Sequence, residues 1–222
     1  MSVIAVPSKF RLRVVFKPLV VGTAKGLIKI GVTPNQATGI MLALSITCVV
    51  YFLLVPMNLI MLIGFGILVF ITGVFDGVDG AIARLSNAKT HFGAVLDSSM
   101  DRISDPVIFF VPAVRELLRG DLISTTWLQL PALWIVPLWV WSFFLVIGAY
   151  MTSYVRTRAT LADPALDADV GLLGRSERLF LIVVASILNV LPFMLVVLAI
   201  LTNITALFRI NDAKKGLAGK KE

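Results

Sequence analysis

Five aspartates of this 222-residue chain, Asp76, Asp79, Asp97, Asp101 and Asp105, stand at the edges of apolar stretches. An ionisable side chain is costly there and by default points to function. Asp76 and Asp79 lie three residues apart where one apolar stretch ends, so their carboxylates share a helical face. Asp97 and Asp101 lie four apart where the next begins, and Asp105 continues that face one turn later. A loop from about Leu85 to Phe92 would fold the two helices into an antiparallel hairpin and bring the pairs together. Four converging carboxylates repel one another, and burial pushes protons onto them. A divalent cation removes the conflict. An all-oxygen ligand set favours Mg²⁺, Mn²⁺ or Ca²⁺ over zinc or copper, and Mg²⁺ in turn points to a phosphate-bearing substrate. His91, the only histidine, stands alone in the loop and is not expected to ligate. Gly80 and Ala83 follow Asp79 at one and four residues. They serve either helix packing or the close approach of a metal-bound nucleotide, and Arg84 beside them could pair with a phosphate or an aspartate.

The elements that carry these acids are read from composition. Hydrophobic residues make up 58% of the chain and charged residues 15%, against about 45–50% and about 25% in soluble domains. Disorder, collagen-like repeats and a soluble nucleic-acid-binding domain are excluded. Cys48 is the single cysteine, so there is neither an intramolecular disulfide nor a thiolate metal cluster. About 20 apolar residues cross a bilayer as a helix. Six stretches approach that length: Gln36–Leu54, Met57–Phe75, Gly93–Val114, Pro131–Tyr154, Leu179–Leu191 and Pro192–Leu207. The last two are separated only around Asn189–Pro192, which leaves five spans as the alternative count. The expected fold is all-α: an integral membrane bundle of six transmembrane helices, preceded by an N-terminal amphipathic interfacial helix. In domain terms, 1–35 is a basic juxtamembrane segment, 36–208 the catalytic bundle and 209–222 a basic cytoplasmic tail. No secretory leader is expected in the first 30 residues, where cations interrupt every apolar run.

The net charge of +7 belongs to membrane flanks and anionic lipid rather than to nucleic acid. Six cations precede the first span, three lie between Asp76 and Asp105, four precede the fifth span and five follow Leu207, leaving only Arg115 and Arg119 for the other side. Both termini and both charged loops are therefore expected in the cytoplasm. Arg156, Arg158, Arg175 and Arg178 form a second constellation near the acids. They are either decoration of the cytoplasmic flank or a site for a phosphorylated ligand, since guanidinium forks match phosphate oxygens. Arg156 and Arg158, two apart, do not share a helical face. The connector from Leu161 to Leu173 reads as solvated and able to cover the site. Other classes compatible with intramembrane acids are a divalent cation transporter and a noncatalytic assembly module.

Read in order, Asp76-x2-Asp79-Gly80-x2-Ala83-Arg84-x8-Gly93-x3-Asp97-x3-Asp101 resembles the signature of the CDP-alcohol phosphotransferase family, with every specified position filled. The resemblance implies transfer of a phosphoalcohol from a CDP-linked lipid to a hydroxyl acceptor, with release of CMP. By position, Asp76, Asp79 and Asp97 look like ligands of Mg²⁺ or Mn²⁺, with Asp101 a further ligand or the general base. Gly80, Ala83 and Arg84 resemble the residues beside the CDP group. Thr33-Pro34-Asn35 and Thr38 resemble a short motif bordering the nucleotide, although Thr33 and Pro34 equally suit the start of a helix. Asp101-Arg102-Ile-Ser-Asp105, Tyr154-Val-Arg156-Thr-Arg158-Ala159 and Gly174-Arg175-Ser-Glu177-Arg178 look like the branch that uses inositol phosphate. Arg156, Arg158, Arg175 and Arg178 would hold the acceptor phosphate and Glu177 would order them. Glycerol phosphate users usually carry lysine where Arg102 stands; Ser176 replaces a common proline. The implied partners are CDP-diacylglycerol or CDP-archaeol, inositol phosphate or glycerol 3-phosphate, membrane lipids, and a second copy in a homodimer at the plasma membrane.

Overall fold

A computed structural model describes residues 12–128, 135–164, 166 and 170–218. Nine helices run in order through the described residues: α1 (Leu12–Val15), α2 (Lys17–Lys29), α3 (Pro34–Leu54), α4 (Leu59–Leu85), α5 (His91–Arg119), α6 (Leu122–Thr125), α7 (Leu138–Ala162), α8 (Arg175–Ile187) and α9 (Leu191–Leu217). Their starts follow local chemistry. Thr33 and Gln36 form a reciprocal capping box at the head of α3, with Pro34 in its first turn. Asn58 accepts from the Met61 amide at 2.8 Å to open α4. Between α8 and α9 the chain turns at Asn189 (φ 53°) and the Val190 amide returns to the Ala185 carbonyl at 2.9 Å. The break expected near Pro192 is therefore present.

By length and composition α3, α4, α7 and α9 can cross a membrane. The six-span reading is met only to that extent. α8 has 13 residues, a rise of about 20 Å against a hydrocarbon core of about 30 Å. α5 is long, but its first half carries the acids. The fourth expected span starts later than its hydropathy suggests, because Pro137 immediately precedes α7. Pro131–Trp134 lie outside the described residues. α9 continues through Leu217, past the expected end of the last span, so residues 209–217 extend a helix rather than leave it. The first 11 residues of the basic segment, Asp167 and Asp169 of the connector, and Lys220 and Lys221 lie outside the described residues.

α7 packs along α9, while α4 lies against α3, α8 and α2. α2 buries Ala24 and sets Val20, Leu27 and Ile28 on Val74, Val78 and Ala81 of α4. A Cβ at Gly77 would come 3.2 Å from Val20 Cγ1, so this glycine permits the close helix approach. Far from the acids, Arg115 joins three elements. Its Nη1 donates to the carbonyls of Phe52 and, at 2.7 Å, Val55 at the end of α3, while Nε and Nη2 grip Asp121 before α6 at 2.9 and 2.7 Å. That guanidinium holds the Asp121 carboxyl below its usual range.

Replacing Arg115 by alanine should remove a buried guanidinium and leave the Phe52 and Val55 carbonyls unpaired, costing about 3 kcal/mol, read as a lowered melting temperature in detergent. Because the folded Asp121 titrates below its unfolded value, its contribution is present above about pH 4. The stability gap between wild type and Asp121→Asn should therefore narrow as pH falls through that range.

Candidate active site

The acids meet because α4 and α5 are joined by a tight turn. α4 closes with Asn87 at φ 51° and the Ala88 amide bonded to the Ala83 carbonyl at 3.0 Å, a left-handed residue ending a helix. Thr90 then caps α5 by accepting from the Gly93 amide at 2.9 Å. A Cβ at residue 93 would lie 2.9 Å from Thr90 Oγ1, so glycine there keeps the cap. The turn places one carboxylate oxygen each of Asp76, Asp97 and Asp101 within 4.8 Å of one another, while along their lengths α4 and α5 pack on α3 rather than on each other as a hairpin would. Asp79 is the most buried of the four acids (4% exposed) and is held differently: Thr38 Oγ1 donates to its Oδ2 at 2.7 Å and the Gly80 amide to its Oδ1 at 2.5 Å. His91 is exposed at the head of α5, outside the cluster.

Three cavities border this cluster, and each touches a different acid. The first, of about 620 Å³, lies between α2, α4 and α8. Its walls are apolar, with Val20, Phe70, Val74 and Phe180 among them, and it reaches Asp76 and Arg84. Phe16 packs edge-on to Phe70 with ring centres 5.5 Å apart, and Glu177 ties α1 to α8 by accepting from the Leu12 amide at 3.3 Å. The second, of about 260 Å³, is lined by Pro34, Thr38, Asp79, Gly80, Ala83, Arg84 and Asp97. Pro34, Asn35 and Thr38 thus converge with Gly80, Ala83 and Arg84, joined by Lys89, which nothing in the sequence singles out.

The third cavity, of about 200 Å³, is lined by Arg102, Arg156, Arg175, Arg178 and Arg209 together with Asp101 and Asp105. Arg178, 4% exposed, donates through Nη1 to Thr152 Oγ1 at 3.1 Å. Arg175 Nη1 pairs with Asp101 at 2.7 Å and with Asp76, while its Nε donates to Asp105 Oδ1 at 2.8 Å. Arg158 is exposed and outside this lining, as the two-residue spacing from Arg156 requires. Glu177 contacts the Leu12 amide rather than forming a close ion pair with either neighbouring arginine. Arg209, assigned from sequence to the tail, is 5% exposed and bridges the Val170 and Thr152 carbonyls at 2.8 Å each. Nothing in the sequence marks it, because it follows the last apolar run like any flanking cation.

The CDP-alcohol phosphatidyltransferase family model matches residues 31–210. The archaetidylinositol phosphate synthase of Pyrococcus horikoshii is 34% identical over 193 residues, spanning 87% of this chain and 89% of that protein. The phosphatidylinositol phosphate synthase of Mycobacterium tuberculosis, solved with CDP-DAG bound, superposes with a TM-score of 0.70 at 24% identity, covering 92% of this chain and 99% of that one. Its structure in complex with manganese and citrate gives 0.68 at 24% identity, covering 91% and 93%.

Asp97→Asn should weaken Mn²⁺ binding at least about tenfold, on the scale of losing one charged ligand. The electron paramagnetic resonance signal of free Mn²⁺ measures this in a titration of the purified protein. Arg158→Ala should leave that titration unchanged.

Proposed function

The chain belongs to the CDP-alcohol phosphatidyltransferase family, and on that premise we propose that it transfers the phospholipid moiety of a CDP-linked lipid to inositol phosphate, releasing CMP. The observation that carries the reading is the junction of three cavities at one acid cluster: Asp76 borders the apolar one, Asp97 the small-residue one and Asp101 the arginine-lined one. A donor with tails, diphosphate and nucleotide, and an acceptor with a phosphate, need that division of space.

The donor set fits a divalent metal. Three carboxylates lie within mutual reach, and Asp97 Oδ1 is buried with no hydrogen-bond partner among the described residues. Asp76, Asp97 and Asp101, with Asp79 beside them, would hold Mg²⁺ or Mn²⁺, which would supply charge to neutralise the diphosphate and stabilise departing CMP. Thr38 keeps the Asp79 carboxylate in place, and Gly80 and Ala83 leave room for the nucleotide. Arg84, which borders both donor cavities, faces the diphosphate. Arg156, Arg175 and Arg178 hold the acceptor phosphate by charge-assisted bonds. Asp101, shared by acid cluster and acceptor cavity, takes the proton of the attacking hydroxyl. That oxygen bonds to the lipid-side phosphorus as the diphosphate P–O bond to CMP breaks, and alignment of the two substrates supplies much of the rate. The cation distribution supports a cytoplasmic site with both termini on that side, α5 and α8 completing six spans and α2 lying at the interface. The family likeness supports a homodimer at the plasma membrane.

Relatives named for inositol phosphate products favour that acceptor over glycerol 3-phosphate. Purified protein with Mn²⁺ and either CDP-diacylglycerol or CDP-archaeol should release CMP with inositol phosphate and not with glycerol 3-phosphate or unphosphorylated inositol. Release only with glycerol 3-phosphate would overturn the acceptor. Asp101→Asn should lower kcat by about 10²–10⁴-fold, the range for a lost general base, with the melting temperature unchanged.

A further inference from the structure

The arginine-lined cavity contains a carboxylate that the reaction does not use. Asp105 lies one turn beyond Asp101 on α5 and is 7% exposed. A fixed negative charge in the wall of an anion cavity repels the anion, so its presence there calls for a compensating gain. The gain lies in its contact with Arg175. Among the described residues, Arg175 Nε donates to Asp105 Oδ1 at 2.8 Å, and the same guanidinium reaches Asp101 and Asp76 through Nη1. A guanidinium is planar, so fixing Nε on one side sets the direction of both Nη groups. Without Asp105, nothing on the α5 side holds Nε, and the fork is free to turn fully onto Asp76 and Asp101. It would then neutralise the acids and leave the acceptor cavity one donor short.

We propose that Asp105 is a positioning residue that fixes the Arg175 guanidinium between the acid cluster and the acceptor cavity, and thereby sets the preference for a phosphorylated acceptor. The inference rests on the reading of that cavity as the acceptor-phosphate site. It deepens that reading by assigning selectivity to a group that acts through Arg175. The scale is taken from carboxylates behind metal-ligating side chains, whose loss costs about 10–100-fold.

The test uses the full chain in detergent at saturating Mn²⁺, comparing wild type, Asp105→Asn and Asp105→Leu. Asparagine keeps an oxygen for Nε and loses the charge; leucine removes both. The expected result is a graded rise in KM for inositol phosphate, about tenfold or less for Asp105→Asn and approaching 100-fold for Asp105→Leu. The KM for the CDP-lipid should stay unchanged, and any fall in kcat should be smaller than the rise in acceptor KM. A fall in kcat with an unchanged acceptor KM, or a rise in donor KM alone, would overturn the proposal. If Asp105→Leu does not fold, the Asp105→Asn shift alone decides. Should wild type release no CMP with inositol phosphate, the acceptor reading fails by itself, and calorimetric titration of inorganic phosphate then decides the role of Asp105. Weaker phosphate binding in the variants supports it, and equal binding in all three rejects it.

Discussion

Mutual repulsion among carboxylates at the rim of an apolar bundle is the constraint from which the rest of this molecule follows. Asp76, Asp97 and Asp101 present oxygens within 4.8 Å of one another, and charge at that spacing is tolerable only when positive charge answers it. Two sources of positive charge are built into the arrangement: a place for a divalent cation among the oxygens, and the guanidinium of Arg175 from α8. The helices around the cluster are organised to deliver those two partners. The turn at Asn87 brings the head of α5 to the end of α4, and α8, only 13 residues long, packs its apolar face on α4 and carries Arg175 and Arg178 to the acids at its start.

Division of the surroundings into an apolar, a small-residue and an arginine-lined space gives the cluster its chemical sense. Each space is made by a different property of the chain. The apolar one needs α2 to lie against α4, which Gly77 permits by offering no Cβ to Val20. The small-residue one depends on the first turn of α3, where Thr38 turns inward to Asp79. The arginine-lined one gathers side chains from α5, α7, α8 and α9, so it exists only when the whole bundle has closed.

This difference explains what could be read from the chain. The acids of α4 and α5 are local: spacings of three and four residues put them on faces, and a short turn joins the faces, so the cluster is legible in residues 76–101 alone. The capping box at Thr33 is equally local. Nothing local marks Arg209, and Asp105 reads only as one more acid on the α5 face, because their roles are set by partners far away in sequence, the Val170 carbonyl and Arg175. Arg158 resembles Arg156 in type and neighbourhood, and only the rotation of α7 separates them. Hydropathy marked the long spans well but placed their ends poorly, since α4 carries its acids within the helix and α9 runs on through charged residues.

Arg115 lies fourteen positions after Asp101 on the same helix, about 21 Å along its axis. Its four-way grip rivets the ends of α3 and α5 to each other at the pole opposite the acids. For α3 and α5 that end is the closed end of a pair of tweezers, and a parting of these two helices around a bulky amphiphile would be widest at the acid end.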